Sequence, residues 1–171
     1  MEKETEILEQ YIEDLKNIPG EAEGEKAELL GKLKSGEASA KSRLSELCLM
    51  KAMQTASEYR GQGLPLIDLI QESSMAVMLG IDEYDGDAKA EDFDEYLDKY
   101  VREHIKAVVA AESAEKKAED EITEKINVLS DTAQALVERF GREATLEELK
   151  EYTKLTEDEI KTLMKMSLDA L

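Results

Sequence analysis

Carboxylates dominate the reactive side chains of this 171-residue chain: 41 Asp and Glu stand against 22 Lys and Arg, with one histidine, His104, and one cysteine, Cys48. No serine or cysteine is paired with a histidine as nucleophile and base. No phosphate-cradling loop is present, and no second His or Cys stands at ligand spacing from His104. These residues predict no enzyme, no metal site, no cofactor and no small-molecule substrate, and most carboxylates read as solvated helix faces. Asp85-Gly86-Asp87 reads as a turn, because the ligand alternation and closing Glu of a calcium loop are missing. Cys48 reads as a helical packing residue rather than a reactive thiol. One cysteine permits no internal disulfide, which fits a reducing cytoplasm.

The stretch that presents polar groups most deliberately is Tyr59-Arg60-Gly61-Gln62-Gly63-Leu64-Pro65-Leu66-Ile67-Asp68-Leu69-Ile70-Gln71-Glu72. Its small residues allow positive φ and a tight connection, and Pro65 fixes φ at the start of the next helix. Leu66, Leu69, Ile70 and Met75 repeat at helical spacing, and acidic groups in a first turn complement the macrodipole. The spacing predicts a helix, a glycine loop and a second helix that displays Asp68, Gln71 and Glu72. This second helix should continue to Tyr84 with Met75, Val77, Met78 and Ile81 inward.

Around this pair the whole chain reads as helical. Charged residues make up 37% and aromatics 5%, with Leu, Ile, Met and Ala at helical intervals and two prolines. Ile7, Leu8, Tyr11, Ile12 and Leu15 share a face of a first helix, which Pro19-Gly20 ends. This helix is either a partner-binding arm or, the preferred reading, a helix packed on its own domain. A second helix over about Glu21 to Lys34 and a long one over Ala40 to Tyr59 follow. The longest apolar run, Ala107 to Ala111, is far too short to span a bilayer, and no secretory signal is recognisable.

The line from Tyr59 to Glu72 resembles the signature of region 2 in the sigma-70 family, the promoter-specificity subunits of bacterial RNA polymerase. The resemblance implies an all-α fold: a region 2-like bundle over 35–113, preceded by acidic helices over 1–34. A small region 3-like, helix-turn-helix-like domain over 114–171 completes it. It also implies a partner, the clamp helices of the polymerase β′ subunit, met by Leu66, Ile67, Asp68, Gln71, Glu72, Met75 and Met78. The helix from Ala40 resembles the family run Ala-Arg-x-x-Leu-Ile-x-x-Asn-Leu-Arg-Leu-Val, but Cys48 replaces Asn, Met50 replaces Arg, and Ser57-Glu58 stands where two lysines are common.

Phe93 to Ile105 is similar to the family's promoter −10 reading helix, typically Phe-Ser-Thr-Tyr-Ala-x-Trp-Trp-Ile-Arg-x-x-Ile. Such a helix catches unstacked bases on aromatic faces while basic groups hold phosphates. The matching candidates here are Phe93, Tyr96, Lys99, Tyr100 and Arg102. Phe93 and Tyr96 also read as core aromatics, and without basic neighbours that reading is preferred. Asp94-Glu95 replaces Ser-Thr, and Lys99-Tyr100 replaces the tryptophan pair. From Asp85 to Glu103 eight acidic residues oppose three basic ones, and the chain carries a net charge of −19. That field repels phosphate backbones, so promoter DNA binding by the isolated protein is expected to be weak or absent.

Glu121 to Leu129 resembles the start of region 3, with Glu124 kept and Glu121 in place of the His that helps to read DNA. Leu136 to Leu149 matches a second region 3 line. Thr145 with Glu148, and Thr156 with Glu159, predict capping boxes. Lys154 stands where the family commonly has a turn glycine, a cost of about 1 kcal/mol if positive φ is required there. Region 4 is not recognisable, which suggests a second chain supplying it. The resulting expectation is a cytoplasmic, sigma-70-like protein that binds core polymerase, contacts promoters weakly, and acts in or regulates transcription initiation. Two other readings stay open: an active factor whose DNA contacts form only inside holoenzyme, and an acidic helical interaction module that kept the fold without polymerase or DNA.

Overall fold

The computed structural model describes the backbone over residues 2–86 and 89–169 and the side chains over 5–86 and 89–167. Asp87, part of the expected turn and of the acidic run above, lies outside the described residues. Among the described residues the chain is all-helical: α1 Glu2–Asn17, α2 Glu25–Lys34, α3 Ala38–Glu58, α4 Leu66–Glu83, α5 Ala90–Phe140, α6 Leu146–Thr153 and α7 Glu157–Asp169. They form two compact units, residues 1–112 and 113–171.

The core of the first unit follows from two strict four-residue stripes. On α3 these are Ala40, Leu44, Cys48, Ala52 and Ala56; on α5 they are Phe93, Leu97, Val101 and Ile105, all buried. Residues four apart form one ridge of a helix, and small side chains in a ridge let a neighbouring helix approach closely. α4 adds Leu69, Ile70, Ala76, Val77 and Ile81, and α2 adds Leu29 and Leu30. Gly80 of α4 is required by the approach of α5: a Cβ there would lie 2.8 Å from Leu97 Cδ1 and 3.1 Å from Tyr100 Cδ1.

α2 begins at Glu25, later than its apolar pattern suggests. Gly24 turns the chain at φ 76°, and the Glu25 carboxylate accepts a hydrogen bond from the Ala22 N–H. Arg43 of α3 secures this corner by donating to Glu25 and to the carbonyls of Pro19 and Gly20. α1 packs on its own unit: Leu15 is buried, Leu8 and Tyr11 lie against the core, and the Tyr11 hydroxyl is 3.1 Å from Ser74 Oγ. Ile7, expected on the same inward face, is exposed.

In the second unit Leu129 and Leu136 of α5 meet Leu149 of α6 and Ile160 and Leu163 of α7. Both capping boxes are present. Thr145 Oγ1 accepts from Glu148 N–H while the Glu148 carboxylate accepts from Thr145 N–H, and Thr156 and Glu159 repeat the exchange. Arg142 and the Thr145 N–H hold the Glu148 carboxyl down at about 2. The N–H and hydroxyl of Thr156, then Lys125, do the same for Glu159. Lys154 caps α6 at φ 62°, a left-handed conformation where a glycine would sit without strain.

Candidate functional site

α4 owes its start to the loop before it. Gly61 and Gly63 take φ of 81° and 112°, and Pro65 (φ −57°) sets the entry to the first turn. Its inner face carries Leu69, Ile70, Ser73, Ala76, Val77, Gly80 and Ile81. The outer face carries Gln71, Met75, Met78 and Leu79, the last three exposed by 41%, 47% and 40%. The inward placement expected for Met75 and Met78 is therefore wrong. Small Ala76 and Gly80 take the inner positions because the neighbouring helices come too close for longer side chains. Val77 and Ile81 do point inward, as expected.

The remaining α4 candidates are half-buried. Thr5 and Leu8 of α1 line a shallow groove with Leu64, Leu66 and Ile67, which accounts for part of their cover. Asp68 sits in the first turn. Glu72 receives a partner from another helix: His104 Nε2 of α5 lies 2.8 Å from Glu72 Oε2. Ser74 Oγ donates to the Ile70 carbonyl as well as meeting Tyr11. No basic residue occurs in α4, so its outer surface combines exposed thioethers and leucine with an amide and carboxylates.

The residues matched to base reading lie on the first part of α5 and are committed to other contacts. Phe93 is fully buried and meets Tyr84 edge to face at 5.1 Å between ring centroids. Tyr96 lies against Tyr84 at 5.0 Å and against Tyr100 at 5.8 Å, and both Tyr96 and Tyr100 are half-buried. Burial and nearby acids, Glu83 above all, raise the phenol pKa of each. Arg102 donates to Glu58 of α3 and, over 2.8 Å, to Asp98. Those hydrogen bonds raise the guanidinium's pKa and lower those of Glu58 and Asp98. The other Asp98 oxygen lies 3.5 Å from the Lys51 ammonium. Lys99 alone among the basic candidates points well into solvent, with a loose contact of 3.9 Å to Glu103. Glu124 is exposed on the part of α5 within the second unit.

A further pair ties α2 to α5. The Lys26 ammonium, buried among Glu21 and the two oxygens of Asp94, donates to Asp94 at 2.9 Å. Burial alone would lower the Lys26 pKa, but the bonds and charge of Asp94 and Glu21 outweigh it and raise the value. Asp94 thus neutralises a buried lysine instead of facing solvent as a bare charge. Cys48 lies close by, buried, and burial pushes its thiol up to about 11, so it is a poor nucleophile at neutral pH.

Four contacts could not be read from sequence: Tyr84 on Phe93, Glu58 on Arg102, Asp94 on Lys26, and Glu72 on His104. Each joins separate elements of the fold. The one available signal was compositional, an acidic residue standing where a lysine or serine is usual.

No protein-family model matches the chain. Its sequence is similar to RNA polymerase sigma factor SigA of a Bacillus species, 26% identical over 157 residues, covering 92% of this chain and 41% of the relative. SigA of Clostridium acetobutylicum is 25% identical over 92% of the chain and 41% of the relative, and SigA of Listeria monocytogenes 25% over 92% and 42%. The chain is similar to these SigA proteins over most of its own length. It spans about two fifths of the length of the curated relatives it matches.

Proposed function

We propose that the outer face of α4 binds the clamp helices of the RNA polymerase β′ subunit, and that the protein acts in or regulates transcription initiation with weakened promoter contacts. The observation that carries this reading is the exposed Gln71–Met75–Met78 surface of α4 in a chain similar to SigA proteins over most of its length. Methionine side chains adapt to irregular apolar partners, and exposed ones grouped on one helix face are suited to a docking surface. Gln71 and Glu72 supply hydrogen bonds and charge to a basic partner, Asp68 adds a second carboxylate, and Leu66 and Ile67 extend the apolar contact.

Weak DNA binding follows from the state of α5. Arg102 is neutralised by Glu58 and Asp98, and Phe93 lies inside the core. Three of the groups that would hold a strand, Phe93, Tyr96 and Arg102, are already held by the protein itself, while the surrounding field is acidic. We propose that residues 35–113 form the region 2-like part and 114–171 the region 3-like part of a cytoplasmic factor. A competing reading, an acidic interaction module without polymerase, is favoured by the same ion pairs together with the net charge of −19.

Affinity for core polymerase, or for a β′ clamp-helix fragment, decides between them. Native protein is expected to bind, and Gln71→Ala with Glu72→Ala to weaken binding at least about tenfold, since interface hot spots cost about 2 kcal/mol or more on truncation. Absence of native binding would sink the polymerase reading. Run-off transcription with core enzyme then tests promoter use, where little or no product is expected.

A further inference from the structure

Among the described residues Glu72 has one side-chain partner, and it comes from outside its own helix. α4 contains no lysine, arginine or histidine, so no neighbour one turn away can pair with it. His104, the chain's single histidine, reaches it from α5 at 2.8 Å, with the two side chains 24% and 30% exposed. A carboxylate only accepts hydrogen bonds, so His104 Nε2 must carry the hydrogen and donate it. The bond engages Oε2; no other side-chain hydrogen bond is made by Glu72 among the described residues.

We propose that His104 is a positioning residue for partner binding: it holds the Glu72 carboxylate in one orientation on the α4 surface and leaves Oε1 to receive a basic group of the partner. The inference rests on the reading of α4 as the polymerase-facing surface. A glutamate free to rotate loses rotamer freedom when a partner fixes it, and a charge-assisted bond made beforehand removes much of that loss. Glu72 has a particular need of such a hold. Asp68 stands one turn earlier on α4, and like charges at that spacing repel. Without His104 the carboxylate would swing away from Asp68, and nothing on α4 would bring it back.

The test is binding to the β′ clamp-helix fragment by native protein, His104→Ala, His104→Gln, Glu72→Ala and the Glu72→Ala/His104→Ala pair, with helicity checked by circular dichroism. His104→Ala should weaken binding about three- to tenfold. His104→Gln, whose amide can donate to the same carboxylate, should restore most of the affinity. In the Glu72→Ala background, removing His104 should change nothing further. The single imidazole also gives one set of ring-nitrogen resonances, and these should move in Glu72→Gln if the bond exists in solution.

An unchanged affinity in His104→Ala overturns the inference. A tighter one does so too, since it would make His104 a competitor for Glu72 rather than its support. Equal loss in both backgrounds would show a general structural effect and also overturns it. If native protein does not bind, the polymerase reading itself has failed, which the native curve shows before any variant is compared.

Discussion

The outer faces of α4 and of the first part of α5 belong to one unit and carry opposite arrangements. On α4, Gln71, Met75, Met78 and Leu79 stand exposed, free of side-chain ion pairs. On α5, Asp94, Asp98 and Arg102 are each bonded to side chains of α2, α3 or α5 itself, and Phe93 is inside the core. A hydrogen bond already made inside the protein must be broken before a ligand can use the same atom, so partner recognition needs atoms left uncommitted. The acidic residues of α5 therefore have two effects at once. They make the field around this face negative, and Asp98 with Glu58 of α3 closes Arg102 into an internal network, while Lys99 stays in solvent.

The contrast can be broken most forcefully at Phe93. If its ring is structural, Phe93→Ala should destabilise the first unit by about 3–5 kcal/mol, read from urea denaturation, as for other large core aromatics. A change within about 0.5 kcal/mol would return Phe93 to the surface groups.

Glu58→Lys sharpens the comparison next. It removes the main partner of Arg102 and places a second cation beside it, so salt-sensitive binding to single-stranded DNA should appear or strengthen several-fold. Unchanged DNA binding would mean that the ion pair does not limit strand binding by α5. Acid should act on the same network. The Glu58 and Asp98 carboxyls lie below their ordinary values of 4.5 and 3.8, held there by Arg102. Their stabilisation is thus complete above those values and disappears as pH falls below them.

The smallest effect on folding is expected on α4. Met75→Ser and Met78→Ser, at exposed positions, should shift stability by no more than about 0.5 kcal/mol while reducing affinity for the clamp-helix fragment. A loss of stability comparable to that of Phe93→Ala would make them core residues after all.

Much of this architecture is legible in the sequence. The glycine loop, the start of α4 and both capping boxes follow from local chemistry that one turn of chain contains, whereas the left-handed Lys154 is legible only through the resemblance, which puts a turn glycine there. The direction of Met75 and Met78 is not legible. Apolar residues at helical spacing do not say which of two apolar flanks faces inward when small residues, here Ala76 and Gly80, make the closest contact. The length of α5 has a plain signal: no glycine or proline occurs from residue 87 to residue 140, and one helix runs over Ala90–Phe140. The pairs that close off α5, by contrast, join residues 44 and 68 apart in sequence, and spacing within one helix carries no information about them.

The position of Cys48 gives the molecule a built-in clock. It is the chain's only thiol, it belongs to the α3 stripe at the centre of the first unit, and the second unit contains none. A thiol-reactive dye can therefore modify the protein only when the first unit opens, and the second unit's own openings leave no mark. When opening and reclosing are fast compared with modification, the labelling rate divided by that of an unfolded peptide gives the population of the open form. The stability of the first unit can thus be followed in native buffer, without denaturant and without altering a residue.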